Sequence, residues 1–326
     1  MAKAVTKRPR AANPLKLRLP ATSANLGPAF DAAGLALGMY LTIEARPAKE
    51  FAIIASGLDA EICGRVENHL TLNTYREVLK AEGKPVQPLA LKINNEIPLG
   101  KGCGSSAAAR LAGIVLAVHF GKLRWSDRRI VGEASRREHH PDNAAACWLG
   151  GLTVARQISE NEAQVAIIQP KQKWPLLVAI PPEPLSTEEA RGVLPGQYSR
   201  VDAVANIQNS MLLLAALTQG KPDMLASSLH DRLHEPYRAP LCPLLPALQE
   251  LSGESGVLGA VLSGAGPSVL IFLDPKAGAT RSKAIVERHL LRKGLYAELV
   301  LTRIMPTGAA QSGNWQRNNR TIRRSS

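Results

Sequence analysis

The sequence predicts a chain of mixed helices and strands forming two domains or one large one. Three observations carry this. Its 326 residues exceed the ~100 to 200 of a usual single domain. A strand-like stretch, a glycine-rich loop and an Ala- and Leu-rich helical stretch follow one another over residues 89–120. Pro170, Pro175, Pro181, Pro182 and Pro184 crowd the passage 170–184, as a connection between domains would. Apolar residues make up 45% and charged residues 21%, enough for a buried core and unlike a disordered polymer. Aromatics are only 4%, so Ala, Val, Leu and Ile must build that core, and stacking platforms for single-stranded nucleic acid are scarce.

The elements read in order. Residues 15–19 alternate apolar and basic like a strand and run into a loop of turn formers at 20–28. Residues 35–45 and 51–56 read as strands, and 71–81 as a helix with Leu72, Tyr75, Val78 and Leu79 on its apolar face. Next come a strand at 89–97, the glycine loop and a helix at 105–120. Further on, 201–217 and 279–291 read as helices, and 259–262 and 269–273 as strands of a hairpin-like element around a glycine turn. The longest nearly uninterrupted apolar stretch, 111–120, falls short of the ~20 residues that span a bilayer, so no membrane helix is expected. The start lacks the apolar region of a secretory signal. Cys63, Cys103, Cys147 and Cys242 form no CxxC pair and read as reduced core thiols of a cytoplasmic protein.

The net charge of +13 suggests nucleic acid, but its placement argues otherwise. Lys3, Lys7, Arg8, Arg10, Lys16 and Arg18 crowd the start, and Arg317, Arg320, Arg323 and Arg324 the end, without an acid among them. The body is left near +3, so we expect basic disordered tails at 1–13 and 309–326 around a nearly balanced body.

The loop Pro98, Leu99, Gly100, Lys101, Gly102, Cys103, Gly104, followed by Ser105 and Ser106, has a phosphate cradle's order. Glycines let the backbone approach an anion, and the free N–H groups and positive end of the next helix hold it. It fails the Walker pattern, because Lys101 precedes the last two glycines, and its third glycine spacing fails the dinucleotide fingerprint.

Other segments accompany it: Asn25 to Asp31 behind Pro20; Glu138, His139, His140, Pro141, Asp142, Asn143; Thr187 through Glu189 and Ala190 to Arg191; Glu235, Pro236, Tyr237, Arg238; and Gly264 with Gly266. Together these resemble the homoserine kinases of the galactokinase, homoserine kinase, mevalonate kinase and phosphomevalonate kinase (GHMP) superfamily, over roughly residues 15–305. The glycine loop and the Gly264/Gly266 segment are shared across that superfamily. The other segments are those that match homoserine kinases.

The resemblance implies an α+β fold with an N-terminal phosphate-loop domain (14–172) and a C-terminal ferredoxin-like domain (173–308), the site lying in the cleft between them. It implies ATP binding by Asn68, Pro98 to Ser106, Gly264 and Gly266, and Mg2+ held by Ser106 and Glu138, with Glu133 as the alternative carboxylate. Magnesium takes hard oxygen donors and completes its shell with water and phosphate, which suits one hydroxyl and one carboxylate. For the acceptor, L-homoserine, it implies Asp31 on the amino group, Arg191 and Arg238 on the carboxylate, and Asn25, His140 and Asn143 as positioners, with Thr187 beside the transferred phosphoryl. A cation and an anion on one small molecule are matched by a carboxylate and guanidinium forks. Asn143 stands where other superfamily members carry an aspartate; it orients a hydroxyl but accepts no proton, and a base role for neighbouring Asp142 is left open.

A homodimer, a role in threonine biosynthesis and no membrane or specific nucleic-acid partner complete what the resemblance implies. Ala29 stands where the family commonly has Gly, which asks whether the backbone there needs a positive φ. Cys103 replaces a frequent Leu and Ala144 a frequent Val. Two rivals are another small-molecule kinase, whose acceptor without an amino group would leave Asp31 unpaired, and a nucleic-acid binder using the tails.

Overall fold

The computed structural model describes residues 13–315. Its first sheet is organised around one long strand. β1 (Leu15–Ala24) pairs along most of β2 (Ala33–Pro47). β4 (Leu89–Asn95) takes the second half of β2's other edge and β5 (Leu152–Ser159) its first three residues. β3 (Ala52–Gly57) lies parallel to β4, and β6 (Glu162–Ile168) closes the far side against β5. Behind this sheet the helix Ser105–Phe120 is buried on nearly every side and packs on the helix Leu70–Ala81. Gly113 lies against Thr71 and Thr74 with no room for a Cβ, which lets the two helices approach closely.

The second sheet runs β10-β7-β9-β8, all antiparallel, from β7 (Pro175–Ile180), β8 (Val257–Leu262), β9 (Val269–Leu273) and β10 (Glu298–Arg303). Helices connect β7 to β8, and the helix Ala279–Arg292 connects β9 to β10. That is the βαββαβ order of a ferredoxin-like unit. Its core includes Leu177, Leu245, Leu262, Ile271 and Val286, all buried.

The structure departs from the sequence reading in four places. β1 continues through the turn formers to Ala24, because a register shift between Pro20 and Ala21 absorbs the proline's missing N–H. The proline-rich passage is not a bare connection, since it contains β7, an interior strand of the second sheet; Pro175 stands at the strand's first residue, where a missing donor costs least.

Residues 309–315, expected in a basic tail, pack onto the body. Ala309 and Ala310 are fully buried, Trp315 stands edge-on to Trp148 at 5.6 Å between ring centroids, and Asn314 accepts from the Lys16 backbone N–H at 2.7 Å. Lys3, Lys7, Arg8, Arg10, Arg317, Arg320, Arg323 and Arg324 lie outside the described residues, and so does the expected disorder around them.

The helix Arg200–Gln219 is long and apolar enough to cross a membrane by length and composition, with a mean hydropathy of 1.2. No single apolar run spans it, because Asn206, Gln208, Asn209 and Ser210 interrupt the pattern. Those polar residues fix it to the body: Asn206 Nδ2 donates to Pro28 O at 2.7 Å and Asn209 Nδ2 to His230 O at 2.7 Å. Its opposite face leaves Val201, Val204, Ile207 and Met211 exposed.

Candidate active site

Two glycine turns, one from each half of the chain, meet at the candidate site. Gly102 has φ 72°, and a Cβ there would run into the backbone oxygens of Ser263 and Gly266, so the phosphate loop and the turn 263–266 touch through bare backbone. Ser263 Oγ donates to Gly102 O at 2.8 Å. Gly104, also at φ 72°, leaves no room for a Cβ beside Thr22 Oγ1. The helix Ser105–Phe120 starts immediately after it, so its unpaired N–H groups open into a cavity of about 150 Å³.

Most of the sequence-derived site residues line that cavity. Gly100, Gly102, Gly104, Ser105, Ser106, Gly264 and Gly266 form the side of the two glycine turns; Asn25, Asp31, Glu138, His140, Asp142, Asn143, Thr187, Arg191 and Arg238 also line the cavity. Asn68 and Leu99 stand apart, in an adjoining, mostly apolar cavity of about 530 Å³ that shares Ser105 and Ser106 with the first. Pro98, Lys101 and Cys103 line neither cavity. The Cys103 thiol is fully enclosed and burial pushes it up to about 12, so it is a packing group and not a reactive one.

Ser106 Oγ donates to Glu138 Oε1 at 2.7 Å, and Arg110 Nε lies 2.5 Å from the same oxygen. Two hard oxygens at the mouth of a phosphate loop suit a divalent cation bridged to phosphate, so the pair fits magnesium. Glu133 is occupied elsewhere, accepting from both Arg136 and Arg137 and lining neither cavity.

His140 and Asp142 form a buried pair, Nδ1 donating to Oδ1 at 2.5 Å. Burial works against the charged imidazole, but the Asp142 carboxylate outweighs it and holds His140 above its ordinary range. Asp142 Oδ1 also accepts from the Asn143 N–H at 2.6 Å, whereas Oδ2 is buried with no hydrogen-bond partner among the described residues. Thr22 Oγ1 donates to Asn143 Oδ1 at 2.6 Å and fixes the amide's orientation.

The turn 25–31 holds four residues at positive φ, Asn25, Leu26, Gly27 and Asp31. Asn25 secures it, donating to Gly264 O at 2.7 Å and accepting from the Asp31 N–H at 2.9 Å. Ala29 is not in the left-handed region, so the substitution of a common family glycine is free of strain there.

Asp31 and Arg191, expected on opposite ends of the acceptor, pair with each other at 2.8 Å. Arg238 is 1% exposed; its Nε donates to Ala190 O at 2.9 Å, and it lies over the Phe30 ring at 5.3 Å, with Arg191 at 5.8 Å from the same ring. Its Nη1 donates to His234 Nδ1 at 3.2 Å; His234 Nε2 donates to Gly27 O, and burial holds this imidazole neutral. Burial first, and then Arg191, lower the Arg238 guanidinium against the pull of Asp31 and Asp231.

Sequence reasoning missed Arg110, Thr22, Phe30 and His234 as parts of the site. Arg110 was findable, since it follows Ser106 by four residues and so shares its helix face. Thr22, Phe30 and His234 lie in or beside segments already singled out, but their contacts with Asn143, Arg238 and Gly27 join parts of the chain far apart in sequence.

Strand, glycine loop and helix facing a ferredoxin-like unit define a small-molecule kinase of the GHMP class. The models of the GHMP kinases N terminal domain and the GHMP kinases C terminal match residues 69–151 and 213–290. The chain is 46% identical over 261 residues to homoserine kinase of Solibacter usitatus, covering 79% of this chain and 84% of that one. It is 35% identical over 284 residues to homoserine kinase of Deinococcus radiodurans, covering 87% and 92%. The crystal structure of homoserine kinase from Cytophaga hutchinsonii superposes with a TM-score of 0.78 at 23% identity, over 93% of this chain and 98% of that one. This chain belongs to the homoserine kinase family of the GHMP kinases.

Proposed function

We propose that this enzyme transfers the γ-phosphoryl group of ATP to the side-chain hydroxyl of L-homoserine, giving O-phospho-L-homoserine and ADP, a step of threonine biosynthesis. The observation that carries the reading is the convergence of Asp31, Arg191 and Arg238 on one cavity with the glycine loop. An ammonium for Asp31 and a carboxylate for the two guanidiniums describe an α-amino acid, and the phosphate cradle opposite describes its co-substrate. ATP lies with its phosphates along Gly100 to Ser106 and its base in the adjoining apolar cavity beside Asn68.

Ser106 and Glu138 would hold Mg2+, which would neutralise phosphate charge. The acceptor's hydroxyl oxygen forms the new bond to γ-phosphorus as the bond from γ-phosphorus to the bridging oxygen breaks and ADP leaves. Asn143, oriented by Thr22, has a second lone pair on Oδ1 for the acceptor hydroxyl. Its proton has an acceptor in Asp142, whose buried Oδ2 has no other partner among the described residues. Thr187, at the first position of the helix Thr187–Gly192, donates to the transferred phosphoryl. Positioning and charge stabilisation dominate such transfers, so a strong base is not required.

Two copies pair in this proposal, supported by the exposed apolar stripe Val201, Val204, Ile207 and Met211, and the four free cysteines support a reducing, cytoplasmic location. A coupled assay of ADP release with homoserine, mevalonate and shikimate tests the acceptor. Turnover is expected with homoserine alone, and equal rates with mevalonate would remove the reading.

A further inference from the structure

Arg238 sits at the end of a single helical turn, Glu235–Arg238, and something must hold so short a helix in place. Asp231 Oδ2 caps it, accepting from the N–H groups of His234 and Glu235 at 2.7 Å each. Glu235 does more. Its side chain turns away from the substrate cavity and Oε1 accepts from the Leu262 backbone N–H at 2.6 Å, while Gln249 Nε2 lies 3.4 Å from Oε2.

Leu262 is the last residue of β8, and the next residues make the turn that meets both halves of the site. Ser263 bonds the phosphate loop at Gly102 O, Gly264 N–H donates to Ala24 O at 3.1 Å, and Gly264 O accepts from Asn25. A single carboxyl group therefore joins the helix of a carboxylate-binding arginine to the turn that touches the nucleotide loop and the acceptor loop.

We propose that Glu235 is a positioning residue that locks the Arg238 helix to the turn 263–266, so that the acceptor's carboxylate site and the phosphate loop keep one mutual geometry. This rests on the acceptor reading above. The group is 4% exposed, and burial pushes its carboxyl up to about 8, so it is neutral at pH 7 and works through hydrogen bonds. Reach to Leu262 N–H is what matters, and charge is not. A lost bond leaves that buried N–H unpaired and frees the turn to shift, and misplacement of about 1 Å can cost on the order of 10²-fold in turnover.

Glu235→Gln and Glu235→Asp separate reach from charge. The first keeps length and an acceptor oxygen without the acid; the second keeps the acid and shortens the arm by one methylene. Steady-state kinetics on homoserine and ATP are read beside melting temperatures for both variants and the unsubstituted chain. Glu235→Gln is expected to stay within about threefold in every constant. Glu235→Asp is expected to raise KM for homoserine by about tenfold or more and KM for ATP by a few fold, with a smaller fall in kcat. Equal KM values for the two variants, or a larger defect in Glu235→Gln, would overturn the proposal. Turnover of homoserine by the unsubstituted chain separates these outcomes from failure of the acceptor reading.

Discussion

Asp31 and Arg191, 160 residues apart in the chain, form a two-point ion pair: Oδ1 accepts from Nη2 at 2.8 Å and Oδ2 from Nη1 at 3.2 Å. Their side chains are 31% and 34% exposed, and a pair this wet contributes little to stability. It is therefore cheap to open. In the proposed function a zwitterionic acceptor would replace one salt bridge by two, its ammonium on Asp31 and its carboxylate on Arg191 and Arg238.

Asp31→Asn should then act on acceptor binding alone. The expected result is a rise of about 10- to 100-fold in KM for homoserine, from loss of one charge-assisted hydrogen bond, with KM for ATP within about twofold. Steady-state titrations of both substrates check it, and a matching rise in KM for ATP would contradict the assignment.

Glu138→Gln should lower kcat by on the order of 10²-fold or more and raise the magnesium concentration needed for half-maximal rate, because phosphate charge loses its neutralising ion. Magnesium titrations at saturating ATP read both effects. An unchanged titration would return the ligand role to another carboxylate, although Glu133 is held by Arg136 and Arg137.

Glu235 gives stability a definite pH dependence. Its carboxyl, pushed from 4.5 up to about 8 by burial and then by Asp231, against the pull of the Leu262 N–H and Arg238, keeps its proton in the native chain where the unfolded chain has lost it. The native state binds more protons across that interval, so this group makes stability fall as pH rises from about 4.5 to about 8. Glu235→Gln cannot titrate. Its melting temperature relative to that of the unsubstituted chain should climb between pH 5 and 8 on the order of one carboxyl's linkage, and a flat difference would contradict the burial argument.

The ends of the chain divide sharply. Removing 1–12 and 316–326 should leave kcat and both KM values within about twofold and weaken polyanion binding, since Lys3, Lys7, Arg8, Arg10, Arg317, Arg320, Arg323 and Arg324 go with them. Extending the second cut to residue 313 also removes Trp315 from Trp148 and Asn314 from Lys16, and should lower the melting temperature by several degrees. Thermal melts of the two truncations check this.

Local pattern carried much of this fold. The helix Ser105–Phe120 and the strand Val269–Leu273 coincide with the sequence reading, because glycine punctuation and apolar runs mark their ends. β7 was hidden by its flanking prolines, whereas the helix Arg200–Gln219 was legible as 201–217 and only the partners of its polar residues, Pro28 and His230, lay too far away in sequence to read. The site was legible where a motif keeps its residues together, as in Glu138 to Asn143. What the motifs could not give is pairing: Asp31 with Arg191, Arg110 with Glu138, and Glu235 with Leu262 each join distant segments or turns of helix.

Phosphorus NMR of the product tests the central claim most directly. With ATP, Mg2+ and homoserine, the account predicts a new phosphomonoester signal whose proton correlation runs to the side-chain methylene next to oxygen, growing as ADP grows, and no such signal with mevalonate. Inorganic phosphate as the only new species, or a phosphoester formed equally on mevalonate, would contradict it.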